Sequence, residues 1–116
     1  MRPNDLKDRT KVFALRVVRL VESLPRGRSS DVIGRQLLRS GTSVAANYRA
    51  ACRARSNAEF ISKMGVVEEE ADESLFWMEL LVEAKLIGEA RLKDLMVETN
   101  EILSIVITSI KTARKK

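Results

Sequence analysis

Apolar residues recur along this chain at steps of three and four, the period of a helix that turns one stripe toward a core. Phe13, Val17, Leu20, Val21 and Leu24 predict a first helix over about residues 6–24. Pro25, Gly27, Ser29 and Ser30 then break the pattern, and Ser30 or Asp31 can cap the next helix by accepting a bond from an orphan amide. That helix is expected over 31–54, with Ile33, Leu37, Val44, Tyr48 and Ala51 on one side and Gly34, Ser40 and Gly41 beside them. Small residues there allow close helix approach, but each glycine costs about 1 kcal/mol relative to alanine. Tertiary packing must therefore hold the segment. Ser56 and Glu59 have the spacing of a capping box and open a third helix, 56–86, striped by Phe60, Met64, Val67, Ala71, Leu75, Met78 and Val82. Gly88 stands where a left-handed residue would stop it. A fourth helix, 90–112, follows from Leu92, Leu95, Met96, Thr99, Leu103, Val106 and Ile110, and its basic end favours the negative pole of the helix dipole. No β-alternation or internal repeat is visible, so the expected fold is all-α. Four helices on short loops make an antiparallel up-down four-helix bundle, one domain spanning residues 1–116.

Two of the helices are apolar on two sides. Val12, Leu15 and Val18 lie opposite Phe13 and Val17, while Val66, Trp77, Leu80 and Ala84 lie roughly opposite Phe60 and Met78. A bundle has one inside, so a second apolar face suggests a second buried surface, most simply between subunits of a homo-oligomer. The plainer alternative is a wide core stripe with scattered surface residues. Trp77 is a candidate interface anchor, and Cys52, next to the core stripe of helix 2, reads as a small buried hydrophobe.

Composition narrows the chemistry. Histidine is absent and cysteine occurs once in 116 residues, which rules out a disulfide framework, a Cys/His zinc site and a His-dependent triad within one chain. The third helix is rich in carboxylates (Glu68, Glu69, Glu70, Asp72, Glu73, Glu79 and Glu83). A di-metal bundle site, however, normally adds Glu-x-x-His motifs from paired helices. No cofactor or metal is expected, and no enzyme. The polar start, Met1-Arg2-Pro3-Asn4-Asp5, resembles no secretory signal. The longest uncharged apolar stretch, 102–110, is far short of the roughly 20 residues a membrane span needs. A cytoplasmic protein with a reduced thiol is expected.

The net charge of +5 conceals a sharper pattern, for residues 1–25 carry +3, 26–55 carry +6, 56–84 carry −7 and 85–116 carry +3. On helix 2, Arg35, Arg39, Arg49 and Arg53 fall within about 80° of one another at 100° per residue, away from the core stripe. Arginine suits phosphate because its planar fork donates paired hydrogen bonds and stays charged. The stripe can equally be a solvated face, or pair with the acidic third helix. Three Phe, one Tyr and one Trp leave little material for base stacking.

Several stretches resemble one family. Asp5-Leu6-Lys7, Leu24-Pro25, Gln36-Leu37-Leu38-Arg39-Ser40, Ser43-Val44-Ala45-Ala46-Asn47, and Arg55-Ser56 with Glu59-Phe60-Ile61 are similar to the bacterial four helix bundle protein family. Its founding members are encoded in intervening sequences of 23S ribosomal RNA genes. The resemblance runs from about Asp5 to Lys111. The chain departs from it at Ala45, where many members have Pro, at Ala50-Ala51, where many have Glu-Gly, and at Asp8-Arg9, where Val-Trp is common. The resemblance implies an antiparallel bundle, a ring-like homopentamer, and kinship to the accessory variability determinant of diversity-generating retroelements, a basic barrel that binds nucleic acid and a reverse transcriptase. It transfers no catalytic residue. The expected function is that of an oligomeric accessory protein binding RNA or DNA phosphates through Arg35, Arg39, Arg49 and Arg53. The alternative is a scaffold that docks a protein partner on its apolar and acidic faces.

Overall fold

A computed structural model describes residues 3–116, with side chains from Leu6 onward. Four helices, α1 (Pro3–Glu22), α2 (Arg28–Cys52), α3 (Asn57–Glu83) and α4 (Glu89–Arg114), form an all-α bundle with no strand among the described residues. They run up and down in a body measuring 47 × 22 × 20 Å. Each helix packs on its neighbours in sequence, and α4 returns to α1; the α2–α3 seam is the most extensive and the α1–α4 seam the slightest.

The core follows the apolar stripes. Phe13, Val17, Leu37, Val44, Met64, Val67, Met78, Leu92 and Val106 are all buried. On α3 and α4 the stripe is turned slightly from the expected one, because Leu81 and Ile102 are buried where Val82 and Leu103 are only partly so. Arg9 of α1 reaches across the thin fourth seam to Glu98 of α4 with two parallel hydrogen bonds, of 2.5 and 3.1 Å.

The small residues of α2 set the helix spacing. An added Cβ at Gly41 would lie 2.8 Å and 2.9 Å from the two methyls of Val17, a β-branched side chain with little freedom to move aside. The adjacent Ser40 serves the other neighbour, its hydroxyl lying 2.9 Å from that of Ser74 on α3. These hydroxyls also reach the carbonyls of Leu37 (3.3 Å) and Glu70 (2.9 Å), so the buried polar pair is satisfied.

Three local expectations are corrected. Helix α2 starts at Arg28 with Gly27 as N-cap and no side-chain cap; Ser30 is inside the helix and buried, and Asp31 sits in the first turn, where its charge opposes the dipole. Helix α3 is stopped by Lys85 (φ 61°), not by Gly88. The amide of Leu86 donates to the carbonyl of Leu81 and that of Lys85 to Val82, both at 3.0 Å, the pairing of a Schellman end. Gly88, at φ −72°, is instead the N-cap of α4. Cys52 is exposed: it is the last residue of α2, on the flank of the stripe where the bundle ends. The Ser56 cap forms, its hydroxyl accepting from the Glu59 amide at 3.0 Å.

Thermal denaturation of three variants checks the packing and the cap. Gly41→Ala should lose about 1–2 kcal/mol, because overpacking against Val17 exceeds the gain in helix propensity. Gly65→Ala, whose added methyl meets nothing within 4 Å, should gain about 1 kcal/mol. Lys85→Gly should gain roughly 0.5–1 kcal/mol by relieving a left-handed residue that bears a Cβ, less the added freedom of the unfolded chain. Equal Tm values for the two alanine variants, or a lowered Tm for Lys85→Gly, would contradict the packing and the cap.

Candidate nucleic-acid interface

Because α2 spends its small and apolar side on two neighbours, α1 and α3, its opposite side is the crest of the molecule. Arg35, Arg39, Arg49 and Arg53 all lie on that crest and are exposed, but their surroundings differ. Arg35 borders the loop end beside Arg26 and Asp31.

Arg39, at mid-helix, turns to α3. It donates to Glu70 at 2.8 Å and to Glu73, and Glu73 also accepts from the Trp77 indole N–H at 2.9 Å. The stripe and the acidic helix thus meet at this one arginine. The paired carboxylates raise the Arg39 pKa. The Glu73 carboxyl is held below the ordinary glutamate value, first by the Trp77 N–H and then by Arg39, against an opposing effect of burial. Trp77 is accordingly half-buried, packed on the core and held by that bond.

The C-terminal half of α2 carries the remaining pair. Arg49 stands between two grooves. On the α1 side, Lys7 and Lys11 face Arg49 across Thr42, Ala45 and Ala46 in a groove of 470 Å³. On the α3 side, Arg49, Arg53, Arg55 and Lys63 line a groove of 510 Å³ with Ala46 and Ala50, and Glu59 is the one acid there. Among the described residues, the ion pairs of the chain join Arg9 and Arg39 to carboxylates, and none involves these six cations. The alanines make a low ridge that bulky ligands can approach, and the cations on both flanks suit a chain of phosphates. Lys7, Lys11, Arg55 and Lys63 were not in the arginine stripe, because helix periodicity relates residues of one helix and these come from α1, α3 and a loop.

Carboxylates do not converge inside. The buried residues of α3 are Met64, Val67, Ala71, Ser74, Met78 and Leu81, and among the described residues no cluster of three potential metal ligands occurs. A cleft of 680 Å³ lies at one end of the bundle and is lined by Leu6, Tyr48, Phe60, Ile105, several hydroxyl residues and Lys116. Burial, helped by Cys52, pushes the Tyr48 phenol up to about 12. No helix among the described residues is long and apolar enough to cross a membrane.

The expected apolar faces divide as well. Val12, Leu15, Val66 and Ala84 are exposed, whereas Val18, Trp77 and Leu80 are partly buried. Phe76, which the two-sided pattern passed over, is exposed and stacks edge-on against Trp77 with ring centroids 4.9 Å apart.

A family model described as 23S rRNA-intervening sequence protein matches residues 3–108. A crystal structure of a protein of unknown function from the S23 ribosomal protein family of Bacteroides thetaiotaomicron is 37% identical, with a TM-score of 0.86, over 91% of this chain and 98% of that one. No curated protein matches.

The Arg39–Glu73–Trp77 arrangement has a measurable consequence. Glu73 should titrate below an ordinary glutamate by NMR, and Trp77→Phe should move it back up by removing the largest cause. Since the folded value is the depressed one, this carboxylate stabilises the fold above its unfolded pKa and ceases to as pH falls through the folded one. An unmoved titration in Trp77→Phe would refute the assignment.

Proposed function

The chain belongs to the 23S rRNA-intervening sequence protein family, and from its exposed cations we propose that it is a non-enzymatic, self-associating accessory protein that binds RNA or DNA through the phosphate backbone. One observation carries this: six cations from three helices and a loop, Lys7, Lys11, Arg49, Arg53, Arg55 and Lys63, line two adjoining grooves beside a single carboxylate. Charge of one sign that stays unpaired in the folded protein attracts a polyanion, and each phosphate contact releases a condensed counterion. Arg35 lies farther along the same crest and extends the path, whereas Arg39 is engaged by Glu70 and Glu73 and serves mainly to fasten α2 to α3.

No aromatic side chain lines either groove, so stacking on bases contributes little and sequence is not read there. Affinity then rests on the number of phosphates engaged, and self-association multiplies it by presenting several crests at once. The absence of histidine and the outward-facing acids of α3 support a role without catalysis. A scaffold docking another protein would use the apolar faces of α1 and α3 instead of this crest.

The test is binding of short labelled RNA and DNA by fluorescence anisotropy across a salt series. Affinity should fall steeply with salt, with a log–log slope growing by about 0.7–0.9 per phosphate contact. The double variant Arg49→Glu/Arg53→Glu should bind at least about tenfold more weakly, while Arg39→Ala should change affinity by no more than about threefold. No binding at low salt, or an unchanged affinity after the double charge reversal, would overturn the proposal.

A further inference from the structure

Gly41 and Ser40 are consecutive, so they point about 100° apart around α2, and they face α1 and α3 respectively. The two neighbours therefore stand at nearly a right angle, and α2 is a corner of the bundle that does not pack on α4. With helix axes about 8–10 Å apart, that angle lifts α2 roughly 5–6 Å above the line joining α1 to α3 and sets those two about 12–15 Å apart. Ala46 falls at the apex, opposite Val44 and Tyr48 of the core stripe. Thr42, Ala45 and Ala50 lie beside it, and Arg49 and Arg53 are the long side chains on this half of the ridge. Below the ridge stand two rows of cations, Lys7 and Lys11 of α1 on one flank and Arg55 and Lys63 on the other.

We propose that the polyanion this surface takes is double-helical B-form DNA, with the C-terminal half of α2 lying in the major groove. Lys7 and Lys11 then meet the phosphates of one strand, and Arg55 and Lys63 those of the other. This deepens the phosphate-binding reading of the crest and rests on it. Two rows of cations parted by a ridge fit two backbones parted by a groove. The B-form major groove, about 12 Å wide and 8.5 Å deep, admits a helix, whereas the minor groove, about 6 Å wide, is too narrow for one. In A-form RNA the major groove is deep and narrow and the minor groove shallow, so a ridge seated on either holds the flanking cations off the phosphates. A single strand has one backbone; it follows one flank and leaves the cations of the other unused. Alanine methyls at the apex offer base edges no hydrogen bond, so the ridge enters the groove by shape and charge without reading sequence.

The experiment is fluorescence anisotropy on the full chain at one salt concentration with four probes of equal length. These are a DNA duplex, the same duplex with glucosylated 5-hydroxymethylcytosine filling its major groove, an RNA duplex and a single DNA strand. The plain duplex should bind at least about fivefold more tightly than each of the others, since each of them forfeits the contacts of one flank or both. Lys7→Gln/Lys11→Gln and Arg55→Gln/Lys63→Gln, with helicity checked by circular dichroism, should each lower the log–log salt slope on the plain duplex by about 1.8, two contacts at about 0.9 each. A smaller margin over any of the other three probes, or a slope that fails to fall in either variant, would overturn the groove assignment while leaving phosphate binding in place. Absence of binding to all four probes would overturn both.

Discussion

The close approach that Gly41 and Ser40 give α2 is the constraint from which the rest of the molecule follows. Two adjacent small residues serve two different neighbours, Gly41 receiving Val17 of α1 and Ser40 meeting Ser74 of α3. With α1 and α3 drawn in on either flank, α2 has one remaining side, and that side must carry whatever charge the helix has. Burying an unpaired arginine is prohibitive, so the same spacing that packs α2 also exposes its cations. The basic surface is in this sense a by-product of core geometry.

Charge within the molecule is then used in two ways. Where arginine and carboxylate meet across a seam, at Arg9 with Glu98 and at Arg39 with Glu70 and Glu73, they hold neighbouring helices in register. Both seams lie near the surface, and such pairs add modestly to stability. Where no carboxylate meets the cations, around Arg49 and Arg53, the potential is left facing outward. The excess acid of α3 that Arg39 does not use likewise faces outward, on the side away from α1. A chain of modest net charge thereby presents two strong and opposite surfaces, and only the basic one suits a polyanion.

Much of the fold is legible in the sequence. Helix number, order and most of the buried face follow from apolar spacing, because a side chain's side of a helix depends on its position in sequence. Ends were harder. Lys85 takes the left-handed conformation that glycine usually supplies because the Leu86–Leu81 hydrogen bond and the packing of Leu86 hold it there. Cys52 is exposed for a related reason: a position near the stripe is buried only if a neighbour extends far enough to cover it.

Sequence by itself determined the all-α class, the crest of arginines on α2, the acid on α3 and the two-sided apolar character of α1 and α3, all properties of single helices. Tertiary structure alone decided which arginine meets an acid, which lysines of other helices join Arg49 and Arg53, and that Phe76 is the aromatic left open while Trp77 is held against Glu73. It also set α1 and α3 on opposite sides of the bundle. The physical reason is the same throughout: periodicity relates residues along one axis, whereas ion pairs, grooves and unpartnered faces depend on the distances between axes, which only packing sets.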